Sequence, residues 1–557
     1  MSNRKTSSVG RRSGMLSPSV MPMDGECVDM VKLGRYCHTD QASEGDIYHE
    51  VNITSEDGVV LESCDPRPYH QWMAGEGSVC VGAYEGHLYR TEGKALYYDD
   101  VRVEGLELPL AADIQRHFAH FDSYIVIMPD KYYYQPSTGT YGSLETQVSL
   151  VGDLSVDTAG VYEIESSWNQ TGALTKYFRV GDWVHLNMKY LLENSTMSIV
   201  QELYIEVAFV NSRSIGFDRA VFPAIYDARN AKVTITRKMP DLEGMCVCHE
   251  RLFGYVGNTV YASRRGNLFN WYVMNRAEED AYRKNTAHDR PFTACTVYRG
   301  KPVFFAEDLI STVYGDSPDA FVVVDQPGWG VLSGSSASLV NMGGKLYYLS
   351  PHGVTVYDGD EPTVLSDTLG ARILSGVAGS DGRAYVLSAT VERDGRQEHI
   401  NYVYNLKTSQ WHCEDVLNVT SFVYCDQVLY GLHDMGYGVY RLWMFAGYPD
   451  RAIPMEGIGE APTFCLEFAD VTVDTAVHAG CCGRRLKHLL LWLEVGESAS
   501  VQVYLSCDGA PYRLVKEITD TDKRCVMIPV APNRCQRYRL RLGGVHWFKL
   551  YGIGKVY

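Results

Sequence analysis

Two thiols and an imidazole stand together at Cys246-Val247-Cys248-His249, the sharpest metal-ligating string in the chain. Thiolate and imidazole bind zinc, but structural zinc sites set their paired cysteines further apart and face them with a second pair, which is not evident here. The string reads as two strand cysteines beside a surface histidine. Cys481 and Cys482 are adjacent, a poor arrangement for sharing one ion. Glu163 and Glu165 in VYEIESSW fall two apart, which places them on one face of a strand. Two carboxylates about 5–9 Å apart across a sugar are what glycoside hydrolysis requires, whereas alternating Glu on a solvated strand requires no chemistry. Asp358-Gly359-Asp360-Glu361 lacks the alternating oxygen ligands and distal Glu of a calcium loop and reads as an Asp-Gly hairpin turn. His49-Glu50 opens as a zinc-protease helix would, but Ile53 stands in the place of the second His. No nucleophile elbow, phosphate-binding loop or dinucleotide fingerprint is present. These residues assign no catalytic, cofactor-binding or metal position, leave the interface residues unspecified, and lead us to expect a protein that is not an enzyme.

Basic clusters at Arg11-Arg12, Arg264-Arg265 and Arg484-Arg485 are short and have no stacking aromatics arranged around them. They read as solvated turns, with Arg264-Arg265 a candidate to pair with acidic groups on a neighbouring subunit. A formal charge of -17 argues against wrapping nucleic acid, since phosphate affinity comes from Lys and Arg, and suits a wall that DNA slides past. The 15 cysteines are odd in number and scattered, several within apolar strands such as those at Cys80 and Cys425, which points to reduced thiols made in a cytosol. Residues 1–25 lack the apolar centre of a secretory signal, and no run approaches the roughly 18 apolar residues of a membrane span.

These residues must be carried by strands. An aliphatic residue followed by an aromatic, then a Gly-, Asp- or Asn-rich turn and a second apolar strand, recurs at Leu88-Tyr89, Leu252-Phe253, Val303-Phe304, Leu346-Tyr347, Ala384-Tyr385 and Leu429-Tyr430. From Phe253 the aromatic returns after 51, 43, 38 and 45 residues, close to the roughly 40–50-residue period of propeller blades. The expected fold class is all-β: a β-propeller with an inserted β-barrel-like domain and a C-terminal β-sandwich. Expected boundaries are a flexible N-terminal arm at 1–45, first blades at 46–139, the inserted domain at 140–245, remaining blades at 246–461 and the sandwich at 462–557. NRAEEDAYRKN (275–285) is one of the few helical candidates.

The strings YASRRGNLFNWYVM (261–274), PFTACTVYRGKPVFFAEDLISTVYGDSPDAF (291–321) and GVLSGSSASLVNMGGKLYYLSPHGVTVYDGDEP (330–362) resemble the propeller proteins of tailed phages and prophages, the family of head-to-tail stabilisation and tail-nozzle (tail tubular) proteins. YIVIMPDKYYY with YGSLE, FRVGDWVHL and IPVAPNRCQRYRLRLGG (528–544) extend the resemblance over most of residues 60–557. The chain departs from it at LYYDD (96–100), with Asp where a turn Gly is usual, and at ASRRGN, with two Arg in the turn. The resemblance implies a virion protein without cofactor, forming a ring, often hexameric, beneath portal and adaptor. It would seal the portal channel, conduct DNA without sequence-specific binding, and dock tail-fibre or tail-tip proteins after assembly in the host bacterial cytoplasm. The competing readings are a receptor-binding tail protein, more typically an elongated trimer, and a glycan-degrading tail depolymerase.

Overall fold

The computed structural model describes residues 28–75, 77–156, 162–166, 173–191, 198–217, 228–274, 277–393, 395–447, 455–472, 486–519, 525–530 and 537–556. Among these residues there are strands and short 3-10 turns but no α-helix. Seven antiparallel sheets form the blades of one propeller, at 79–102, 117–143, 244–285, 294–327, 340–364, 372–413 and 419–446. Each begins on the strand nearest the axis, and the first strands of the seventh and first blades meet, which closes the ring. The seventh blade takes its fourth strand from earlier in the chain: Pro68–Met73 pairs with Val439–Ala446, Trp72 opposite Tyr440 and His70 opposite Leu442.

The recurring aromatic has a mechanical reason. Tyr89, Phe253, Phe304, Tyr347, Tyr385 and Tyr430 all lie on the second strand of a blade and are buried. Alternation aims these residues into the seams between sheets, where a large ring excludes the most water per residue. Two buried hydroxyls find carbonyls, Tyr385 Oη donating to Ser338 O at 2.8 Å and Tyr348 Oη to Trp329 O at 2.6 Å, and that of Tyr89 lies 2.8 Å from His120 Nε2.

Between the second and third blades, Thr146–Val156, Tyr162–Ser166, Trp183–Leu191, Ser198–Val210, Ser214–Phe217 and Ala228–Arg237 close into a six-stranded barrel with its own core, including Ile164, Leu186, Ile205 and Ile235. The last unit is a sandwich of two sheets whose inner faces meet at Phe464 and Phe548, ring centroids 4.2 Å apart.

Two expectations are corrected here. Residues 28–63 are neither arm nor opening blades: Val28–Val31, Ile47–Val51, Ile53–Thr54 and Leu61–Ser63 pair into the sandwich, with Val28 opposite Val556, Ile47 opposite Phe468 and Leu61 opposite Leu550. Their apolar residues complete a core begun by the last hundred residues, so the propeller is an insertion within the sandwich; residues 1–27 lie outside the described residues. The helical candidate at 275–285 holds a strand instead, Tyr282–Asn285, the outer strand of the third blade. Its ladder to Thr259–Ala262 outweighs the local helical preference of the Glu- and Ala-rich run before it.

Candidate functional site: the propeller seam and its junctions

Where the ring closes, a cleft of about 430 Å³ lies between the seventh and first blades. Asp99 and Asp100 form the turn between Ala95–Tyr98 and Val101–Arg102, both with positive φ (48° and 62°), a conformation in which Asp is one of the better-tolerated side chains. That turn aims Asp100 at two partners. Trp72 Nε1, on the strand that completes the seventh blade, donates to Asp100 Oδ1 at 3.1 Å, and the Arg90 guanidinium of the first blade donates to the same oxygen. Arg90 Nε also donates to Glu92 Oε1 at 2.7 Å, and its plane lies 4.5 Å from the Trp72 ring centre and 4.4 Å from that of Tyr97. His87 Nδ1 sits 2.6 Å from Asp99 Oδ2 at the mouth. Cys425 lines the far wall, its thiol pushed up to about 11 by burial first and by the Asp426 and Asp99 charges second, so it remains protonated near neutrality. Charge-assisted hydrogen bonds and stacking thus join the two ends of the ring.

A second polar knot stands in the second blade. The side chains of Arg116 and Asp130 are fully buried, with Arg116 Nε donating to Asp130 Oδ2 at 2.7 Å and Leu110 N donating to Asp130 Oδ1 at 3.1 Å. In the third blade the buried Arg251 donates to the carbonyls of Ser263, Glu278, Glu279 and Asp280, and so pins the long loop that precedes the outer strand. Sequence reading passed over all three residues; a lone charge beginning an apolar strand, as in RLFGYV, is the signal that marks Arg251.

The barrel is fastened to the propeller by aromatic and guanidinium contacts. Tyr204 stacks on Tyr272 of the third blade's loop at 3.8 Å and 9°. Arg179 Nη1 donates to Tyr124 Oη at 3.5 Å while its guanidinium covers Phe269 at 4.4 Å. Arg237, at the barrel's last strand, is paired with the buried Asp182 and donates to Ser143 O at 2.8 Å, in the outer strand of the second blade.

The sandwich is fastened to the sixth blade. Glu50, wholly buried, accepts from Cys413 N at 2.8 Å, and His412 Nδ1 lies 3.3 Å from the same Glu50 oxygen. Burial raises the Glu50 carboxyl above its ordinary value, against the lowering influence of His412 and the backbone N–H. Arg67 pairs with Glu414 and Asp415 and stacks 4.0 Å over Phe445. Asn405 Nδ2 donates to Ser55 O at 3.2 Å. The hydrophobic core runs without a break from the sandwich into the fifth and sixth blades, through Phe464, Leu466, Tyr385 and Trp411.

The structure separates the residues singled out from sequence. Cys246 and Cys248 lie on the innermost strand of the third blade, both buried. Hydrogen bonding to Cys295 and burial push the Cys246 thiol well up, and burial takes Cys248 to about 11, so neither offers a thiolate near neutrality. His249 stands in the adjoining turn with φ 49°. His49 and Glu50 lie on a sandwich strand rather than a helix, and no group of three or more metal-ligating side chains gathers among the described residues. Glu163 and Glu165 lie on the barrel strand Tyr162–Ser166; Glu165 is exposed and stands opposite Asp153, while the Glu163 side chain lies outside the described ones. Asp358 pairs with Lys345 at 3.4 Å across its hairpin, and Gly359 takes φ 104° beside it. Arg264 and Arg265 find partners in their own chain: Glu206 of the barrel at 3.9 Å and Glu250 of the neighbouring turn at 2.9 Å. Arg11, Arg12, Cys481, Cys482, Arg484 and Arg485 lie outside the described residues.

At the axis, the seven innermost strands read VCVGAY, HFAHF, GMCVC, ACTVY, VNM, RILSGVAGS and VTSFVYC, with no Asp or Glu among them.

No family model and no curated protein matches the chain. Among solved structures, it is similar to the phage phi92 endosialidase, at 11% identity and a TM-score of 0.27 over 74% of this chain and 71% of that one. It is also similar to Kluyveromyces lactis Hsv2, at 12% identity and a TM-score of 0.23 over 62% and 97%. An exo-β-1,3-galactanase from Phanerochaete chrysosporium matches at 9% identity and a TM-score of 0.21 over 54% and 93%. Similarity at this level transfers no activity.

Proposed function

We propose that the chain is a non-enzymatic virion component of a tailed phage, a ring-forming protein of the head-to-tail junction or tail nozzle. In this reading it seals the portal channel, passes DNA during ejection and docks tail components. Its partners are copies of itself, in a ring proposed to be hexameric, then portal and adaptor on one side and fibre or tip proteins on the other. It resides in the neck or tail of the particle and is assembled in the host cytoplasm.

The observation that carries the reading is the joining of three β units into one body: a closed seam at Trp72, Arg90 and Asp100, a continuous core into the sandwich, and arginine clamps to the barrel. Such a construction resists deformation while presenting separate surfaces to neighbours, which is what a pressure-bearing conduit needs. A charge of -17 supports passage of DNA without capture.

A symmetry-resolved image of the particle tests this reading. It expects the chain in a sixfold ring directly below the portal complex; threefold copies at the distal tip overturn it, as does release of reducing ends from host capsule or wall by the purified protein.

A further inference from the structure

The outer strand of the fourth blade, Val322–Pro327, is among the described residues a free edge of six residues, whereas that of the fifth blade, Thr363–Val364, has two. Alternation puts Val322, Val324 and Gln326 on one face. Gln326 shows which way that face looks: its Nε2 donates to Asp360 O and its Oε1 accepts from Tyr357 Oη, both in the fifth blade. Because the fifth blade stops short there, the rest of the face is uncovered, with Tyr314, Val322 and Val324 exposed by 42%, 56% and 47%. Lys301 lies 4.0 Å from the Tyr314 ring centre, and the turns at the end of this notch present Asp316, Asp319, Asp360 and Glu361, all exposed. A long apolar edge of this kind invites pairing unless something covers it.

The same chain carries a matching strand. Arg513–Ile518 ends one sheet of the sandwich, pairs on only one side among the described residues, and exposes Arg513, Leu514 (53%) and Lys516. A bulge at Val515 breaks the alternation, so Leu514 stands opposite Tyr504 while Lys516 stands opposite Val503 on the other face, where its Nζ donates to Met527 O at 3.3 Å. Leucine suits the Val322–Val324 notch, and the exposed Arg513 suits its acidic rim. The two edges are different patches of one surface, so their contact is head to tail, the kind that generates rings when the rotation closes.

We infer that the fourth blade's outer strand Val322–Pro327 in one copy pairs edge to edge with the sandwich strand Arg513–Ile518 of the next. This rests on the ring reading above and supplies its subunit contact. The edge bonds provide affinity, and Leu514 and Arg513 provide register.

The full chain carrying Val324→Cys together with Leu514→Cys tests the contact. Under mild oxidation it is expected to give a ladder of covalent multimers that reductant collapses, absent from either single variant. Val324→Lys is expected to shift the sedimenting species to monomer while its melting temperature stays within a few degrees of the parent. A multimer that survives Val324→Lys and yields no ladder overturns this contact and leaves the ring reading standing. If Val324→Lys instead abolishes docking of a different tail protein, the edge has another occupant and the inference falls. A chain that stays monomeric at all concentrations overturns both.

Discussion

At the residue scale, buried charges decide how the joints behave. Arg116 and Asp130 have no solvent to fall back on, so removing one partner strands the other. Asp130→Ala is expected to cost about 3–5 kcal/mol, read as a drop in the urea midpoint at unchanged slope. Tyr385→Phe leaves the buried Ser338 carbonyl without this donor and is expected to cost about 1–2 kcal/mol in the same measurement. Glu50 gives a pH signature. Its folded-state carboxyl is raised, so the folded chain takes up the proton before the unfolded chain does, and the ionised form burdens the fold at neutral pH. That burden lifts as pH falls through the raised value toward the ordinary carboxylate range. Glu50→Gln keeps an acceptor for Cys413 N and removes the charge. It is expected to melt higher relative to the parent at pH 8 than at pH 5.5; an unchanged difference across that window rejects the assignment. Burial lowers the histidines His49, His117 and His120, which act in the opposite direction, losing stability as pH falls, and the paired comparison cancels them.

At the element scale, much was legible in the sequence because its cause is local. The aliphatic-aromatic step marks the second strand of six blades, and it does so because each such ring packs into a seam. The second blade escaped the count since its second strand, Tyr124–Met128, puts its aromatic before the aliphatic residues. The change from hairpin grammar to longer alternating runs announced the barrel, whose strands of up to 13 residues exceed those of the early blades. What was not legible is pairing between distant segments. Nothing local in VDMV or IYHEV says that its partners are residues 553–556 and 465–468 rather than a neighbouring hairpin. The seam was half visible: the unusual Asp pair of LYYDD stood out as a departure, but its partner Trp72 belongs to a strand that enters the ring from the other end. The Arg264 partner was hidden for the same reason, since Glu206 lies in the inserted barrel. Stacking at this junction is testable: Tyr204→Ala is expected to raise amide exchange in the 268–274 loop while leaving the barrel interior protected.

At the scale of the whole molecule, the three units differ in how separable they are. The barrel has its own core and joins the propeller through two neighbouring chain crossings and a polar and aromatic contact face. Replacing residues 146–237 by a short Gly-Ser linker is expected to leave a propeller-sandwich that still unfolds in one cooperative step. The sandwich shares its core with the sixth blade, and removing residues 28–63 takes strands from both of its sheets. That truncation is expected to abolish the cooperative transition and bind a hydrophobic dye; a sharp melt in the truncated chain contradicts the shared core.

The placing of Val28 beside Val556 bears on how the molecule is made. On the ribosome the blades emerge with nearly all of their partners at hand, whereas the first sandwich strands must wait until Phe548–Val556 has left the exit tunnel. A chain whose synthesis stops early therefore carries a finished wheel and an unfinished hub. Its bare sheets expose it to proteolysis, and it holds incomplete the sandwich that supplies one half of the inferred subunit contact.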